Sequence, residues 1–341
     1  MSQKIIDFLS SVGIMIFGVA MLFFSSITLT AKPVQNFVSQ LPTPSIRPFA
    51  EEEYQAPALP VSRPLLPMLR GKDQTYSATM TAKTAMVVDD ETNTVLFKSN
   101  AEEVRSLASM SKLMSALVLN DLIVNWTTTT VITDEDADPS SHHLFVGERY
   151  TLEELWRIAL VGSSNSAIHA LVRSTGFSEE EFALKMNEKA RVLGLGSLHF
   201  VEPTGLDSRN MGRAVDILRL LKMALQVDRI ALALRLPEYY ADPLNKTNRH
   251  QIWNTNWLLT NWIPNTFDKD FLVGKTGYID QSGYNFVVRV SRKTSHTIRV
   301  IVLGASSNEA RFTEARDLAE WTFANFVWPE DADYHKLAAG R

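Results

Sequence analysis

The 341-residue chain contains no cysteine, no H-E-x-x-H motif, no G-x-S-x-G motif and no block of basic residues. Without cysteine there are no disulfides, so the hydrophobic core alone must hold the fold. The two missing motifs exclude a zinc peptidase of that type and an α/β-hydrolase. The net charge of −4, together with the lack of basic clusters, indicates no nucleic-acid partner.

Metal-binding patterns are also lacking. We expect His142 and His143 to be an exposed loop pair rather than metal ligands. The acidic stretch "DEDADP" at 134–139 has neither the glycine nor the distal glutamate of a calcium loop, so it is interpreted as a solvated turn. The sequence therefore predicts no metal and no cofactor.

The N-terminal region carries the longest uncharged segment of the chain. Residues 8–31 are 24 consecutive residues without a charge, and a bilayer requires about 20. A cleavable signal has a shorter apolar core and a small-x-small site, whereas Leu29 stands where a small residue is needed before Ala31. We expect residues 1–31 to be an uncleaved transmembrane anchor. A cleaved signal is the main alternative, and a buried core helix is a third.

Composition divides the remaining chain into three parts. Residues 33–75 contain eight of the fourteen prolines, which favours an extended chain, so 32–78 is predicted to be a linker. Residues 79–328 have the composition of a globular domain, and 329–341 form a tail. The three tryptophans of "IWNTNWLLTNW" (Trp253, Trp257, Trp262) are expected to pack within this domain, with stacking on sugars as the alternative.

Periodicity predicts the order of elements in the globular part. Two short strands, "TAMVVD" and "TVLFKS", form a hairpin, and a mostly helical region follows. Capping boxes at Thr151 and Ser178 begin two of its helices. Three apolar runs (271–278, 284–291, 297–304) predict an antiparallel meander before a last helix at 309–325. This order predicts an α/β (α+β) fold, with one antiparallel sheet flanked by helices and a helical insertion.

Ser109 and Lys112 lie three residues apart where a polar loop becomes an apolar helix, so their side chains share one face. A serine needs a nearby base to act as a nucleophile, and a desolvated lysine can be that base. The helix N-terminus further disfavours the charged lysine. Because S-x-x-K is a common string, a helix cap with a solvated lysine remains the alternative at this point.

Two further motifs strengthen the catalytic interpretation. Lys275-Thr276-Gly277 enters a β-run, where a cation and a hydroxyl suit a carboxylate, and Gly277 leaves room for a substrate backbone. Of three S-x-N strings, we select Ser163-Ser164-Asn165, which falls in a predicted helix–helix turn. The string at 306–308 is interpreted as a helix cap and that at 208–210 as a loop.

These three motifs, in this order, are the signature of penicillin-binding proteins and class A β-lactamases. The chain resembles the low-molecular-mass D-alanyl-D-alanine carboxypeptidases, serine peptidases that trim peptidoglycan stem peptides, over about residues 80–326. The resemblance rests on "AMVVDDETNTVLFKSNAEEVRSLASMSKLMSAL", "GERYTLEELWRIALVGSSNSAIHAL", "FVEPTGLD", "GKTGYIDQSGYNFVV" and "VIVLGASSNEAR". It implies a β-lactamase/transpeptidase-like fold.

The resemblance also implies the role of each residue. Ser109 is the nucleophile, Lys112 the general base, Ser163 a proton relay, and Asn165 a contact to the substrate amide and to Lys112. Lys275 and Thr276 bind the terminal carboxylate, and the backbone N–H groups of Ser109 and Tyr278 form the oxyanion hole. β-Lactams are then expected to be covalent inhibitors.

Some features depart from the family pattern. Met110-Ser111 replaces a frequent Leu/Ile-Thr pair, Ser282 replaces a frequent alanine, and the C-terminal β-domain of many relatives is missing. We expect a carboxypeptidase, with an endopeptidase acting on cross-links as the main alternative. A β-lactamase or an inactive wall-binding protein is less favoured, because E-x-x-L-N is absent and the motif residues are intact. The expected location is the inner membrane, with the catalytic domain in the periplasm.

Overall fold

The structure, a computed structural model, describes residues 65–71, 74–139, 144–292 and 296–339. Its strands are β1 (Met68–Leu69), β2 (Thr84–Asp89), β3 (Val95–Ser99), β4 (Arg105–Ser106), β5 (Thr129–Val131), β6 (Arg149–Thr151), β7 (Met211–Gly212), β8 (Glu238–Ala241), β9 (His250–Trp253), β10 (Val273–Ile279), β11 (Gly283–Ser291), β12 (Thr297–Ala305) and β13 (Phe326–Val327). Its helices are α1 (Lys112–Leu122), α2 (Leu152–Val161), α3 (Asn165–Ser174), α4 (Glu179–Val192), α5 (Ala214–Leu225), α6 (Asp228–Arg235), α7 (Asn308–Asn325) and α8 (Tyr334–Ala339). A 3₁₀ turn, Ala108–Ser111, leads directly into α1.

The central sheet is antiparallel, with the strand order β10–β11–β12–β2–β3. Successive side chains of a strand point to opposite faces, so a strand covered on both sides is apolar throughout. In β2, Met86 and Val88 join the core shared with α1 and α5, while Ala85 and Val87 join the core under α7. The sheet is built from both ends of the domain around a mostly helical insertion, which confirms the predicted fold class.

The local predictions for the insertion are confirmed. Thr151 and Ser178 each accept a hydrogen bond from the backbone N–H three residues later, and the glutamate at that position accepts from the backbone of the capping residue. These bonds satisfy N–H groups that the first helical turn leaves free. Helix α2 ends at Val161 with Gly162 as its C-cap, so Ser163 and Ser164 form the turn into α3.

The folded domain begins before residue 79, because part of the predicted linker packs on it. Strand β1 pairs antiparallel with β13, and Arg70 N–H donates to the carbonyl of Asn325. The Tyr334 hydroxyl, in the predicted tail, donates to the carbonyl of Leu66 at 2.8 Å. The start and the end of the described chain are therefore hydrogen-bonded to each other.

Three predictions lie wholly or partly outside the described residues, namely the N-terminal anchor at 1–31, the linker over 32–64 and the histidine pair at 142–143. Within the described ranges, no helix combines the length and the apolar character that crossing a bilayer requires. The same ranges contain no group of three histidine, aspartate or glutamate side chains arranged to hold a metal ion.

Candidate active site

The site is built around Lys112, the first residue of α1, which is fully buried. Its Nζ lies 2.9 Å from Ser109 Oγ, because the 3₁₀ turn places the two side chains on one face. Burial lowers the pKa of Lys112 to about 7, although the negative charges of Glu202 and Asp138 act in the opposite direction. Desolvation therefore allows the Lys112 ammonium to lose its proton near neutral pH, and a lysine that acts as a general base must be able to do so.

Lys112 also donates hydrogen bonds to the side-chain oxygen of Asn165 and, at 2.7 Å, to the backbone carbonyl of Thr204. A neutral lysine amine has two N–H donors and one lone pair. Because these two oxygens can accept both donors, the lone pair is left facing Ser109. The geometry thus orients the neutral amine as an acceptor for the serine proton.

Ser163 lies in the turn between α2 and α3 with a φ of 60°, a left-handed conformation that is uncommon for serine. Its hydroxyl accepts a 2.6 Å hydrogen bond from Lys275 Nζ. Asn165, two residues later, begins α3, and Ser164 caps that helix by accepting from Ala167 N–H. The selected S-x-N motif therefore contacts both lysines, Lys112 through Asn165 and Lys275 through Ser163.

The other two S-x-N strings have structural roles. Ser307 caps α7 by accepting from Ala310 N–H, as predicted. Asn210 is buried and donates to the hydroxyl of Ser111 at 3.1 Å and to Glu202 Oε1 at 2.8 Å. It thus supports the back of the site rather than lying in a simple loop.

Lys275 and Thr276 occupy the middle of β10, one of the two edge strands of the central sheet, and both are buried. Burial, followed by the positive charges of Lys112 and Arg311, holds the pKa of Lys275 well below its ordinary value. Thr276 donates a 2.7 Å hydrogen bond to the hydroxyl of Thr255. The strand therefore presents an amine and a hydroxyl next to the Ser163 turn.

Gly277 has a different role from the one predicted. A Cβ at this position would lie 2.7 Å from the carbonyl oxygen of Leu107 and 3.1 Å from the Cβ of Ala108. A Cβ–O distance of 2.7 Å is shorter than real Cβ contacts, so glycine is needed for β10 to pack against the 3₁₀ turn Ala108–Ser111. The expected reason, room for a substrate backbone, is wrong because the protein's own backbone fills that space.

Tyr278 lies at the open end of β10 and is 45% exposed. Its ring stacks on Tyr284 with the centroids 4.2 Å apart. Its hydroxyl donates to Asp280 Oδ1 at 2.7 Å, and this bond raises the pKa of Tyr278 to about 12. The side chain is therefore fixed and neutral at physiological pH.

Glu202, which the sequence analysis left without a role, organises the loop behind Lys112. Its carboxylate accepts from the backbone and hydroxyl of Thr204 and from Gly205 N–H, each at 2.6 Å. This holds the Thr204 carbonyl toward Lys112. Gly205 has a φ of 93°, and a Cβ there would lie 1.9 Å from the carbonyl oxygen of Ala108, so the loop and the 3₁₀ turn that carries Ser109 are in direct contact.

Arg311, in the first turn of α7, is a second residue that the sequence analysis missed. It is buried and donates to the carbonyl oxygen of Gly277 at 3.1 Å. Burial lowers the pKa of Arg311 to about 10. The sequence contained one signal for this role: Arg311 is a charged residue next to Phe312, in a helix turn that otherwise faces the core.

A third missed residue is Asp138, in the acidic stretch interpreted as a solvated turn. Its carboxylate accepts a hydrogen bond from the side-chain nitrogen of Asn165. That interpretation is wrong for Asp138, which belongs to the hydrogen-bond network of Lys112.

The tryptophan cluster packs as expected at Trp257, whose ring stacks on Phe312 with the ring centroids 5.3 Å apart, whereas Trp253 and Trp262 remain about half exposed.

Comparisons with known proteins agree with this geometry. The family model described as D-alanyl-D-alanine carboxypeptidase matches residues 71–307. The chain is 34% identical over 241 residues to a D-alanyl-D-alanine endopeptidase of Haemophilus influenzae, covering 69% of this chain and 80% of that protein. It is 27% identical over 254 residues to a D-alanyl-D-alanine carboxypeptidase of Bacillus subtilis, covering 72% and 63%.

Among solved structures, the chain is similar to penicillin-binding protein D2 of Listeria monocytogenes in its cefotaxime-bound form. The identity is 26% and the TM-score 0.62, with 73% of this chain and all of that chain covered. The family match spans well over half of the sequence and includes all three motifs that meet around Lys112. The chain therefore belongs to the D-alanyl-D-alanine carboxypeptidase family of serine peptidases.

Proposed function

We propose that the protein removes the terminal D-alanine from peptidoglycan stem peptides through an acyl-enzyme on Ser109. The observation that carries this proposal is the 2.9 Å contact between Lys112 Nζ and Ser109 Oγ, with acceptors for both other lysine donors. In this arrangement Lys112 is the general base and Ser109 the nucleophile. The family match supports the substrate class.

The basic side chains of the cleft support binding of a terminal carboxylate. Lys275 lies close to Lys112 and Arg311, and the positive charges of these two residues help to lower the pKa of Lys275. A substrate carboxylate beside Lys275 and Thr276 would place a negative charge among these basic side chains and would favour the charged form of Lys275. The free carboxylate of the last D-alanine has this chemistry.

The reaction then proceeds in two stages. Ser109 Oγ attacks the carbonyl carbon of the penultimate D-alanine and its proton passes to Lys112, while the backbone N–H groups of Ser109 and Tyr278 bind the oxyanion. When the C–N bond breaks, Ser163, held by its bond to Lys275, passes its proton to the leaving amine and takes up the proton that Lys112 received, which returns Lys112 to its neutral form. Water, deprotonated by Lys112, then hydrolyses the ester and restores Ser109.

Glu202 favours a peptidase over a β-lactamase. A β-lactamase needs a glutamate positioned to activate the water that attacks the acyl-enzyme. Here both oxygens of Glu202 accept hydrogen bonds from the loop that they organise, including Thr204 and Gly205. We infer that acylation by a β-lactam is long-lived, so that penicillins inhibit the enzyme instead of being consumed by it.

Labelled penicillin tests the nucleophile. After reaction with the purified protein, peptide mapping should place the adduct on the fragment that contains Ser109, and Ser109→Ala should take up no label. Stable label on Ser109→Ala would overturn the assignment. Ser111→Ala is a matched control, because Ser111 is buried in the same turn and hydrogen-bonds to Asn210 instead of Lys112.

A second candidate function is cleavage of peptidoglycan cross-links. It is supported by the 34% identity to the Haemophilus influenzae endopeptidase, over 80% of that protein's length. The D-centre next to a cross-link also carries a free carboxylate, so Lys275 and Thr276 suit both substrates.

Offering the protein a pentapeptide and a cross-linked dimer in parallel separates the two functions. Release of free D-alanine from the pentapeptide supports the carboxypeptidase. Conversion of the dimer to monomers, with the pentapeptide left intact, would replace it with the endopeptidase. Ser109→Ala, which should process neither substrate, controls for contaminating peptidases.

We further infer that the enzyme acts in the cell envelope, held at the inner membrane by residues 1–31 with the catalytic domain in the periplasm. The 24 uncharged residues at 8–31 and the poor cleavage site support this arrangement. The proline-rich stretch before residue 65 would give the domain reach toward its substrate.

A further inference from the structure

The side-chain amide of Asn165 lies between two residues that come from distant parts of the chain. Its oxygen accepts from Lys112 Nζ, and its nitrogen donates to a carboxylate oxygen of Asp138. The first contact reaches α1 and the second reaches the loop at 133–139. The orientation of one amide is therefore determined from both sides.

The loop that carries Asp138 is attached to α3 at two points. Asp138 N–H donates to Ser166 Oγ at 2.9 Å, in the first turn of α3. Asp136 is buried, accepts from Thr133 N–H at 2.9 Å, and pairs with Arg173 in the last turn of α3 at 2.7 Å. The loop is thus fixed along the helix that begins with Asn165.

Turning the Asn165 amide over would replace both hydrogen bonds with repulsion. Its nitrogen would then face the Lys112 amine, with donor against donor, and its oxygen would face the Asp138 carboxylate, with acceptor against acceptor. An ionised carboxylate accepts hydrogen bonds only, so Asp138 permits one of the two amide orientations. That orientation is the one that directs an acceptor at Lys112.

Asp138 also places a negative charge near Lys112. Among the residues that the structure describes, the charged groups that act on the lysine are Asp138 from the loop at 133–139, Glu202 from the loop behind α1 and Lys275 from β10. Both carboxylates raise the pKa of Lys112 against the larger effect of burial. Glu202 is engaged by its own loop, whereas Asp138 reaches Lys112 through a single intervening amide.

We propose that Asp138 is a positioning residue of the active site, whose carboxylate holds the Asn165 amide with its oxygen toward Lys112 and keeps a negative charge beside that lysine. The proposal rests on the proposed function only in assigning Lys112 the role of base. It gives the acidic stretch at 134–139 a part in setting the pH range of the enzyme. It involves no contact between Asp138 and the substrate.

Three variants of the full chain separate orientation from charge. Asp138→Asn removes the charge and keeps an oxygen that can accept from Asn165. Asp138→Ala removes both. Asp134→Asn, at an exposed position in the same loop, is the matched control for loss of one negative charge.

Two measurements are made on each variant. NMR titration of ¹³Cε-labelled lysine reports the ionisation of Lys112 directly, with Lys112→Arg used to assign the signal. The rate constant for acylation of Ser109 by labelled penicillin is measured as a function of pH. Thermal melting establishes that each variant is folded.

We expect the Lys112 titration midpoint to fall by about 0.5 to 1 pH unit in Asp138→Asn and Asp138→Ala, and to stay unchanged in Asp134→Asn. The acid limb of the acylation profile should move to lower pH with it, because the neutral amine then persists at lower pH. The plateau rate should be nearly retained in Asp138→Asn and fall about 10- to 100-fold in Asp138→Ala, where the amide is free to turn.

An unchanged titration midpoint of Lys112 in both Asp138 variants would overturn the proposal. An equal loss of plateau rate in Asp138→Asn and Asp138→Ala, without a change in midpoint, would do the same, because a purely structural contact would give that result. If the wild-type protein is not acylated at Ser109, the proposed function fails. The NMR titration still decides the role of Asp138 in that case.

Discussion

Lys275 Nζ donates a 2.6 Å hydrogen bond to Ser163 Oγ and thereby joins strand β10 to the turn between α2 and α3. The sheet and the helical insertion each contribute one partner. The proposed proton relay therefore depends on the contact between the central sheet and the helical insertion.

Ser163→Ala should lower the turnover of a D-Ala-D-Ala peptide by about 10²-fold, because the leaving amine loses its proton donor. Its thermal stability should change little. Ser164→Ala is the matched control: it removes the cap of α3 and should cost about 1 kcal/mol of stability, with turnover nearly unchanged. Equal turnover of Ser163→Ala and wild type would contradict the relay.

Gly277→Ala should push β10 away from the nucleophile turn, because the added Cβ would meet the Leu107 carbonyl oxygen at 2.7 Å. We expect a loss of about 1–3 kcal/mol in the free energy of unfolding and at least about a 10-fold slower acylation by penicillin. Gly196→Ala provides the comparison, since no atom lies within 4 Å of its added Cβ. Wild-type rates in Gly277→Ala would show that the turn tolerates displacement.

The acylation rate of the wild-type protein should rise with pH through a midpoint near 7, since only neutral Lys112 can accept the serine proton and its pKa is about 7. Lys112→Arg should acylate very slowly at every pH, because a guanidinium stays charged. Stopped-flow measurement with a fluorescent penicillin between pH 5 and 9 tests both statements. A pH-independent wild-type rate would argue against Lys112 as the base.

The same lysine links stability to pH. The pKa of Lys112 is about 7 in the folded protein and about 10.5 when unfolded, so between these values the unfolded chain binds one more proton. The free energy of unfolding of the wild-type protein should therefore increase with pH, relative to Lys112→Met, by up to about 1.4 kcal/mol per pH unit. Guanidinium unfolding at pH 7.5 and 9.5 measures this difference, and parallel curves for the two proteins would refute it.

The state of the N-terminus can be read directly. If residues 1–31 remain as an anchor, Edman sequencing or intact-mass measurement of protein extracted from membranes should include them. A mature chain starting near Lys32 would show that the segment is a removable signal. Extraction by salt alone, without detergent, would likewise argue against an anchor.

Features determined by nearby residues were predictable from the sequence. The capping boxes at Thr151 and Ser178 depend on contacts three residues apart, and the spacing of Ser109 and Lys112 places both side chains on one face of a turn. The strands of the central sheet follow from apolar runs bounded by turn residues. In such patterns the interacting residues are only a few positions apart in the sequence, so a short segment contains all the residues that form the contact.

Long-range contacts were not predictable in this way. Gly277 is required by Leu107, which lies 170 positions earlier in the chain, and Asp138 is drawn in by Asn165 across a separation of 27. Read locally, "DEDADP" has the composition of a solvated turn, because its partners Ser166 and Arg173 lie on a helix further along. The sequence indicated the candidate site residues Ser109, Lys112 and Lys275, whereas the groups that hold them in place emerged only from the fold.

The pairing of β1 with β13 has a mechanical consequence. A pulling force applied to the chain ahead of Leu66 would first load the Tyr334 hydroxyl bond and the short β1–β13 ladder. Only after these contacts ruptured would tension reach β2 and, through it, the sheet that carries Lys275. A force acting through the proposed N-terminal anchor would therefore break the contacts of β1 and Tyr334 before it could distort the strands that carry the site.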